Sequence, residues 1–363
     1  MKKIQVKNSI IAQNNDSVFN YFGWPNVARL PDGTLAMGAS GHRLGHVCPF
    51  GKVMLYYSHD EGLTWSEPAV VIDTPLDDRD SGIAVFGNGN VIVTSFNNTA
   101  AAQRGYAKRW ADDPLRLSLI NSYLEIIEAN AAEIEDKYLG STFKISKDGG
   151  YAFGEVKRAP ITAPHGPCQM RDGSLLYVGN RYDGKDHIAE TDEYLLECYK
   201  VDSNGEITYL SSIECIRPYL NCEPHAIVLP DGKIIVHIRM ESDGVFTIYQ
   251  SESYDDGKTF TKPHPIGLDH GAPPHLMRHS SGVLISSYGY REKPYGQRVM
   301  FSKNNGETWD VDYVLRDDGN DWDLGYPSTV ELKDGSLLTV YYQAEKGRDN
   351  CVIMQSVWEL PNI

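Results

Sequence analysis

The sequence predicts an all-β fold, a six-bladed β-propeller whose blades are four-stranded sheets. The composition is the first observation: 33 glycines, 19 prolines and 22 tyrosines in 363 residues are typical of short strands joined by many turns. The second is a hairpin pattern that occurs six times, and the third is a turn motif that alternates with it. Such repeats are typical of propellers, in which each blade is one repeat. We therefore treat residues 1–363 as a single propeller domain.

The clearest hairpin spans residues 223–239, where two apolar runs are joined by a Pro-Asp-Gly turn. Proline fixes φ in such a turn and glycine accepts the positive φ that the turn needs. The hairpin should therefore bring Glu223 and Arg239 side by side at its open end. The corresponding inner strands are predicted to begin near Trp24, Asp80, His165, Glu223, His275 and Tyr326.

The alternating motif has the form S-x-D-x-G-x-T-W and is complete at residues 58–65. Close variants occur at 146–153, 253–260 and 302–309, the last with asparagine in place of aspartate. The aspartate is expected to cap a tight turn, the glycine to adopt the left-handed conformation, and the aromatic residue to pack into the core. We assign this motif a structural role and no chemistry.

Two segments lie outside the repeats. Residues 100–140 carry alanine, leucine and glutamate at helical spacing, which predicts one or two helices between the second and third strands of blade two. The chain ends soon after the third strand of blade six. An N-terminal strand at about residues 4–11 should therefore supply the fourth strand and close the ring, which leaves no open sheet edge.

The net charge of −15 disfavours nucleic acid and anionic membrane surfaces as partners. An anionic substrate would therefore need a local cluster of arginines. No run of residues approaches the ~20 apolar residues of a membrane-spanning helix. The N-terminus lacks the apolar stretch of a signal peptide, which predicts a cytoplasmic protein, although a trimmed secretion signal would leave the same sequence.

The cysteines give no sign of a metal site or a disulfide framework. None of the six forms a C-x-x-C pair or has zinc-site spacing with histidine, so we expect reduced, mostly buried thiols and neither a metal nor another cofactor. These cysteines are Cys48, Cys168, Cys198, Cys215, Cys222 and Cys351.

The propeller topology sorts the remaining polar residues by face. The inner strands begin, and the second strands end, on the same face, called here the top face. Functional groups in propellers are expected in such a convergent mouth. The turns of the opposite face supply only aspartate, glycine, asparagine and serine. The candidate site residues on the top face are Trp24, His42, Arg43, Asp80, His165, Arg181, Glu223, Arg239, His275, Arg291 and Tyr326.

At this point the chain resembles the sialidase superfamily of glycoside hydrolases, and the turn motif resembles its Asp-box. In that family a glutamate opens blade four, an arginine ends the same hairpin, and a tyrosine opens blade six. Glu223, Arg239 and Tyr326 match this pattern. The resemblance implies an exo-acting, retaining glycosidase for a terminal acidic sugar of a glycan. In such an enzyme Tyr326 is the nucleophile, and Glu223 is the base that accepts its proton.

The sequence also departs from the family. The arginine that should open blade one is replaced by Gly23-Trp24-Pro25, and the loop 41–48, where the family has its acid/base aspartate, contains no carboxylate. These departures weaken the case for sialic acid itself.

Other residues can take over the missing roles. Arg43, Arg181 and Arg239 can form a different anion-binding set, for example for a uronic or ulosonic acid. Asp80 is the substitute for the missing acid. In blade five Arg291 and Arg298 both qualify as the third arginine, and several of the histidines, which include His42, His165 and His275, must be structural.

Two other functions fit the sequence. The first is a polysaccharide lyase, in which a tyrosine or histidine abstracts the proton α to a uronate carboxylate and arginine neutralises that carboxylate. The second is a propeller that binds glycans without turning them over. All three hypotheses give the protein a carbohydrate partner. Hydrogen-bond contact between Glu223 and Tyr326 would favour the hydrolase.

Overall fold

In the computed structural model, which describes residues 2–184, 195–348 and 350–363, the strands form six twisted, mainly antiparallel sheets. They are the six blades of a β-propeller, as the sequence predicts. The N-terminal strands are β1 (Lys2–Lys3) and β2 (Val6–Ala12). Blade one contains β3 (Tyr21–Arg29), β4 (Leu35–Arg43), β5 (Lys52–Ser58) and β6 (Ala69–Ile72).

Blade two contains β7 (Ile83–Val85), β8 (Val91–Asn97), β9 (Gly140–Ser146) and β10 (Lys157–Ala159). The helical insertion lies between its second and third strands, as predicted, but has three α-helices instead of one or two. They are α1 (Ala100–Ala107), α2 (Pro114–Ala129) and α3 (Ala131–Tyr138), with a 3₁₀ turn at Lys108–Trp110. The side chains of Thr99 and Asp113 cap the first turns of α1 and α2.

Blades three and four follow the insertion. Blade three contains β11 (Ile161–Thr162), β12 (Cys168–Gln169), β13 (Leu175–Arg181), β14 (Leu196–Val201) and β15 (Ile207–Ile213), and both β11 and β12 pair with β13. Blade four contains β16 (Leu220–Val228), β17 (Ile234–Ser242), β18 (Val245–Ser253) and β19 (His264–Pro265).

Blade five contains β20 (Pro274–Arg278), β21 (Leu284–Tyr290), β22 (Gly296–Ser302) and β23 (Asp310–Arg316). Blade six contains β24 (Gly325–Glu331), β25 (Leu337–Ala344) and β26 (Cys351–Trp358). The predicted closure is confirmed, because β2 pairs antiparallel with β26 as the fourth strand of blade six. The sequence analysis missed β1, which adds a short parallel strand to β23 of blade five.

The turn motif has the predicted geometry. In its complete copy, Ser58 Oγ accepts a hydrogen bond from the amide of Gly62 at 2.8 Å, and Asp60 Oδ1 accepts one from the amide of Thr64 at 2.8 Å. The indole of Trp65 donates to Gln355 of blade six at 3.0 Å. The motif therefore ties the bottom of one blade to its neighbour.

The helical insertion packs on the top loop of blade one. Leu44 and Cys48 of that loop form a buried apolar cluster with Ala107, Ile120 and Leu124 of the insertion. This contact places the insertion at the predicted top face and holds the loop from one side. Among the described residues, no helix is long and apolar enough to cross a membrane. All six cysteines are free thiols.

Candidate functional site

A residue in the left-handed backbone conformation lies near the start of four of the inner strands. Trp24, Asp80, Glu223 and Tyr326 have φ values of 52°, 61°, 47° and 49°, although none of them is glycine. At Trp24, Glu223 and Tyr326 the strand pairing also shifts register. A register shift of this kind re-aims a side chain, and strained backbone of this kind is concentrated at functional sites.

Glu223, Tyr326 and Arg239 form one hydrogen-bonded group. Tyr326 Oη donates to Glu223 Oε1 at 2.6 Å, and Arg239 Nη1 donates to Glu223 Oε2 at 2.6 Å. The other terminal nitrogen of Arg239 donates to Glu241 Oε2 at 2.7 Å. The structure therefore brings together the three residues on which the sialidase resemblance depends.

The electrostatics of this group set its protonation states. Burial, and then the charge of Glu223, raises the pKa of Tyr326 well above its ordinary value, so the phenol is neutral at physiological pH. The same two causes raise the pKa of Asp80 to about 8, so this carboxyl group is mainly protonated at pH 7. Burial opposes the charge on Arg239, but Glu223 raises its pKa, and the guanidinium stays protonated.

A cavity of about 320 Å³ opens beside this group, between blades two, three and four. Asp80, Glu223, Arg239 and Glu241 supply its ionisable groups, and aromatic, aliphatic and amide side chains supply the rest. The other lining residues are Phe96, Thr162, Pro164, Asn180, Tyr182, Leu220 and Cys222. This mixture of apolar walls and a few convergent polar groups is typical of a small-ligand site.

Two of the predicted arginines lie away from the cavity. Arg43 is completely buried and pairs with Asp77, also completely buried, at 2.7 Å, so it is a structural residue. Arg181 has a side chain that is 77% exposed and pairs with Glu197. Residues adjacent in a strand point to opposite sides, and here it is the neighbouring Asn180 that lines the cavity. The predicted anion-binding set of Arg43, Arg181 and Arg239 is therefore wrong.

The three predicted histidines also lie outside the cavity lining. His42 is exposed and stacks on Phe19 at 4.4 Å, in a groove at the side of blade one, away from the mouth. His165 and His275 are buried near the axis, 5.1 Å apart between ring centroids. His275 contacts Ser328 at 3.1 Å. The assignment of these histidines to substrate binding is corrected. His165 and His275 are core residues near Tyr326, and burial lowers their pKa values well below the usual range.

Of the remaining predictions, Arg291 lies over Tyr326, and Trp24 is linked to it through Tyr342. The buried Trp24 ring is 5.9 Å from the ring of Tyr342, which is itself 5.9 Å from the ring of Tyr326. Arg291 lies 5.7 Å from the centroid of the Tyr326 ring and donates to the carbonyl of Leu324 at 3.2 Å. Both therefore belong to the surroundings of the nucleophile candidate.

A second polar cluster lies on the top face and was not predicted from the sequence. Asp323 accepts hydrogen bonds from the hydroxyls of Tyr21, at 2.9 Å, and Tyr342, at 3.0 Å. His46 Nδ1 lies 2.9 Å from Asp323 Oδ1. His46 belongs to the blade-one loop that lacks a carboxylate, and Asp323 precedes Tyr326 by three residues. The short distance in sequence between Asp323 and Tyr326 is the feature from which a role for Asp323 at the site could have been predicted. In the described part of the chain, no group of three or more His, Cys, Asp or Glu residues could hold a metal ion.

Comparison with known proteins agrees with this fold. The model of the BNR repeat-like domain matches residues 135–339, and that of the BNR/Asp-box repeat matches residues 56–67. The chain belongs to the BNR repeat-like domain family. Its fold is that of the sialidase superfamily, as the resemblance implies. A search of curated proteins finds no match.

Three solved structures show how widely this fold is shared. An unknown-function protein from Dyadobacter fermentans is 20% identical with a TM-score of 0.76, and the alignment covers 98% of both chains. The NanB sialidase from Streptococcus pneumoniae is 14% identical with a TM-score of 0.63, covering 97% of this chain and 70% of that one. The GH93 α-L-arabinofuranosidase of Fusarium graminearum is 13% identical with a TM-score of 0.65, covering 98% of both chains. At these identities the likeness concerns the fold.

Proposed function

We propose that this protein is an exo-acting glycoside hydrolase that retains anomeric configuration, with Tyr326 as nucleophile and Glu223 as the base that activates it. The 2.6 Å hydrogen bond from Tyr326 Oη to Glu223 Oε1 is the main support. A neutral phenol is a weak nucleophile, and a carboxylate at hydrogen-bond distance can accept its proton as it attacks. The similarity to a sialidase and an arabinofuranosidase supports carbohydrate as the substrate class.

The reaction has two displacements. In the first, Tyr326 Oη attacks the anomeric carbon, its proton passes to Glu223, and the bond to the leaving oxygen breaks as that oxygen receives a proton from an acid. In the second, water attacks the anomeric carbon as the bond to Tyr326 breaks, and the water gives a proton to the deprotonated acid of the first step. The oxygen of Tyr326 regains its proton from Glu223. Two inversions return the starting configuration.

The neighbouring charges suit these steps. Arg239 holds the second oxygen of Glu223, which fixes the carboxylate towards Tyr326. Arg291, over the tyrosine ring, adds positive charge where phenolate character develops. Asp80, neutral at pH 7, can donate a hydrogen bond to a sugar hydroxyl without adding a second negative charge beside Glu223.

The charge pattern favours a neutral sugar, in place of the acidic sugar expected from the sequence. Arg239 is already bound to Glu223 and Glu241, and Arg43 and Arg181 are paired with protein carboxylates. Arg239, the arginine among the described lining residues, is therefore neutralised, and a substrate carboxylate would meet Glu223 and Glu241 there, whereas Arg291 lies over the Tyr326 ring outside that lining. Like charges at short range disfavour binding by several kcal/mol.

A panel of 4-nitrophenyl glycosides tests the proposal. It should include neutral furanosides and pyranosides, a sialoside and a glucuronide, together with uronate-containing oligosaccharides. We expect turnover of a neutral glycoside, a product with retained configuration by NMR, and loss of turnover in Tyr326→Phe. An ultraviolet-absorbing unsaturated product would favour the lyase. Glycan binding with no turnover would favour the binding propeller, and full activity of Tyr326→Phe would exclude this tyrosine as nucleophile.

A further inference from the structure

The cluster around Asp323 lies on blades one and six, outside the lining of the cavity. Glu223 and Asp80 belong to blades four and two, whereas His46 lies in the top loop of blade one and Asp323 in the loop that enters blade six. Tyr342 links the two groups, because its ring is 5.9 Å from the ring of Tyr326 and its hydroxyl donates to Asp323 at 3.0 Å. Two polar centres therefore lie near Tyr326.

Solvent exposure increases along the cluster, from the two tyrosines to Asp323 and then to His46. Tyr21 and Tyr342 are buried, the side chain of Asp323 is 18% exposed, and that of His46 is 31% exposed. Burial alone would raise the pKa of Asp323, but its hydrogen bonds with His46, Tyr21 and Tyr342 and the charge of His46 hold it below the ordinary value. Asp323 is thus a fixed carboxylate whose solvent-facing partner is an imidazole.

The imidazole has a defined orientation. Nδ1 faces Asp323 Oδ1 at 2.9 Å, so Nε2 lies on the opposite edge of the ring. The ring meets the face of Trp24 edge-on, with centroids 5.0 Å apart. On its outer side it approaches Trp322, at 6.1 Å, which is 57% exposed. An exposed indole beside an oriented imidazole is a suitable surface for the second sugar, or another leaving group, of a glycoside.

The loop that carries His46 is fastened from below and from the side. Arg43 Nη2 donates to the backbone carbonyl of His46 at 2.9 Å, and the amide of Cys48 donates to Asp77 Oδ2 at 3.3 Å. Leu44 and Cys48 pack against the helical insertion. A side chain on a loop held in this way is positioned more precisely than one on a free loop.

We propose that His46 is the proton donor and acceptor for the leaving group, and that Asp323 is its positioning residue. This inference depends on the proposed hydrolase function. In the first displacement Nε2–H of the imidazolium protonates the departing oxygen as its bond to the anomeric carbon breaks. In the second, neutral Nε2 takes a proton from the attacking water. His46 ends each cycle protonated, so no other reactant is needed.

Position decides between His46 and Asp80, the acid predicted from the sequence. Asp80 lines the same cavity as Glu223, which places it beside the base. A retaining glycosidase places its nucleophile and its acid/base on either side of the bond that breaks. His46 lies outside the cavity lining that Asp80 and Glu223 share, and its side chain is 31% exposed, as suits a group that protonates a departing leaving group.

The test compares glycosides that differ only in the leaving group. Phenyl and 2,4-dinitrophenyl glycosides of the sugar found in the panel are measured with wild type, His46→Gln, Asp80→Asn and Tyr326→Phe. The matched control is His42→Gln, since His42 is an exposed histidine four residues away that faces the side of blade one. Dinitrophenolate leaves without protonation, so kcat/KM for that substrate does not need the acid.

We expect His46→Gln to lose on the order of 10²–10³-fold in kcat/KM on the phenyl glycoside and less than about threefold on the dinitrophenyl glycoside. Azide should accelerate the slow second step in this variant and give a glycosyl azide of retained configuration. His46→Glu, which can still transfer a proton, should recover part of the activity on the phenyl glycoside. His42→Gln should behave as wild type.

Equal losses of His46→Gln on both substrates, or none, would overturn the assignment. So would a leaving-group effect that occurs in Asp80→Asn instead. If Tyr326→Phe stays active while His46→Gln shows the leaving-group effect, the proposed nucleophile fails and the role of His46 stands. If wild type turns over no glycoside, both proposals fail.

Discussion

The hydroxyl of Tyr326 lies 2.6 Å from Oε1 of Glu223, although the two residues are 103 positions apart in the chain. They belong to blades six and four, and each lies near the start of its inner strand, with a left-handed backbone and a register shift. Since Arg239 binds the second oxygen of the same carboxylate, neither side chain has to move to make the contact. The pair is preorganised before any substrate binds, which is the condition for efficient proton transfer.

The first prediction concerns the charge of Glu223. Glu223→Gln keeps the size of the side chain and can still hydrogen-bond to Tyr326, but it cannot accept the phenolic proton. We expect kcat to fall on the order of 10³-fold with a small change in KM, because the loss is confined to the transition state. Steady-state kinetics on the best 4-nitrophenyl glycoside measures both constants.

Glu241→Gln is the matched control for that variant. Glu241 also binds Arg239, at 2.7 Å, and lines the same cavity, while the carboxylate bonded to Tyr326 is that of Glu223. Its change should affect KM more than kcat. Equal kcat losses in the two variants would mean that the total charge around Arg239 matters and that proton acceptance by Glu223 does not.

The second prediction concerns the stability of the fold as a function of pH. Burial and Glu223 raise the pKa of Asp80 to about 8, against ~3.9 for an unfolded aspartate. Between these values the folded protein binds a proton that the unfolded chain has released, so this residue lowers stability progressively as pH rises from about 4 to about 8. Asp80→Asn does not titrate. Its free energy of unfolding relative to wild type should therefore increase from pH 5 to pH 8, on the order of 3 kcal/mol.

Urea unfolding of both proteins at pH 5 and pH 8 measures this difference. Asp60→Asn is a suitable comparison, because Asp60 lies in an exposed turn where hydrogen bonds from Thr64 lower its pKa. Its stability difference from wild type should change little between pH 5 and pH 8. A constant difference between Asp80→Asn and wild type over the same range would show that Asp80 is ionised in the folded protein at pH 5.

The sequence contains the fold because turns are encoded locally. Ser58, Asp60 and Gly62 fix one blade corner, and the copies at 146–153, 253–260 and 302–309 fix three others in the same way. The Glu223–Tyr326 contact was predictable for a related reason: both residues occupy the same position of the repeat, so the topology places them around one mouth. The repeat therefore specifies on which face of the propeller a residue lies.

The repeat does not specify where the side chain of a top-face residue points. It also does not specify which top-face loops contact each other when the loops differ in length. Arg43 and His42 are neighbours in β4, yet one is buried against Asp77 of blade two and the other stacks on Phe19. The pairing of His46 with Asp323 joins loops 277 positions apart. Contacts of this kind depend on how two irregular segments approach each other, and no local pattern of residues records that.

The third prediction concerns the ion pair of Arg43 and Asp77. Both side chains are completely buried, and Arg43→Met would leave Asp77 with Arg79, at 3.2 Å, as an ionic partner. We expect a loss of about 3 kcal/mol in the free energy of unfolding, at the low end for a broken buried pair. Arg171→Met removes an arginine from an exposed pair with Asp256 and should cost less than about 1 kcal/mol. Similar values for the two variants, from denaturant titrations, would contradict a structural role for Arg43.

The fourth prediction concerns the contact between the blade-one loop and the helical insertion. A Cβ atom at Gly45 would lie 2.5 Å from the indole of Trp110, so Gly45→Ala must displace either the ring or the loop. We expect a stability loss of about 1–3 kcal/mol from overpacking, and relief of that loss when Trp110→Leu is added. Because Gly45 adjoins His46, activity on a phenyl glycoside should also fall, and more than activity on a dinitrophenyl glycoside.

Gly105→Ala is the matched control on the insertion itself. Gly105 lies within α1, where an added Cβ meets nothing within 4 Å, so the substitution should stabilise the protein by about 0.5–1 kcal/mol through the better helix propensity of alanine. Thermal unfolding and the two glycosides, measured on both variants, separate the effects. If Gly45→Ala matches Gly105→Ala in stability and in activity, the insertion does not hold the loop, and the position of His46 must depend on Arg43 and Asp323 alone.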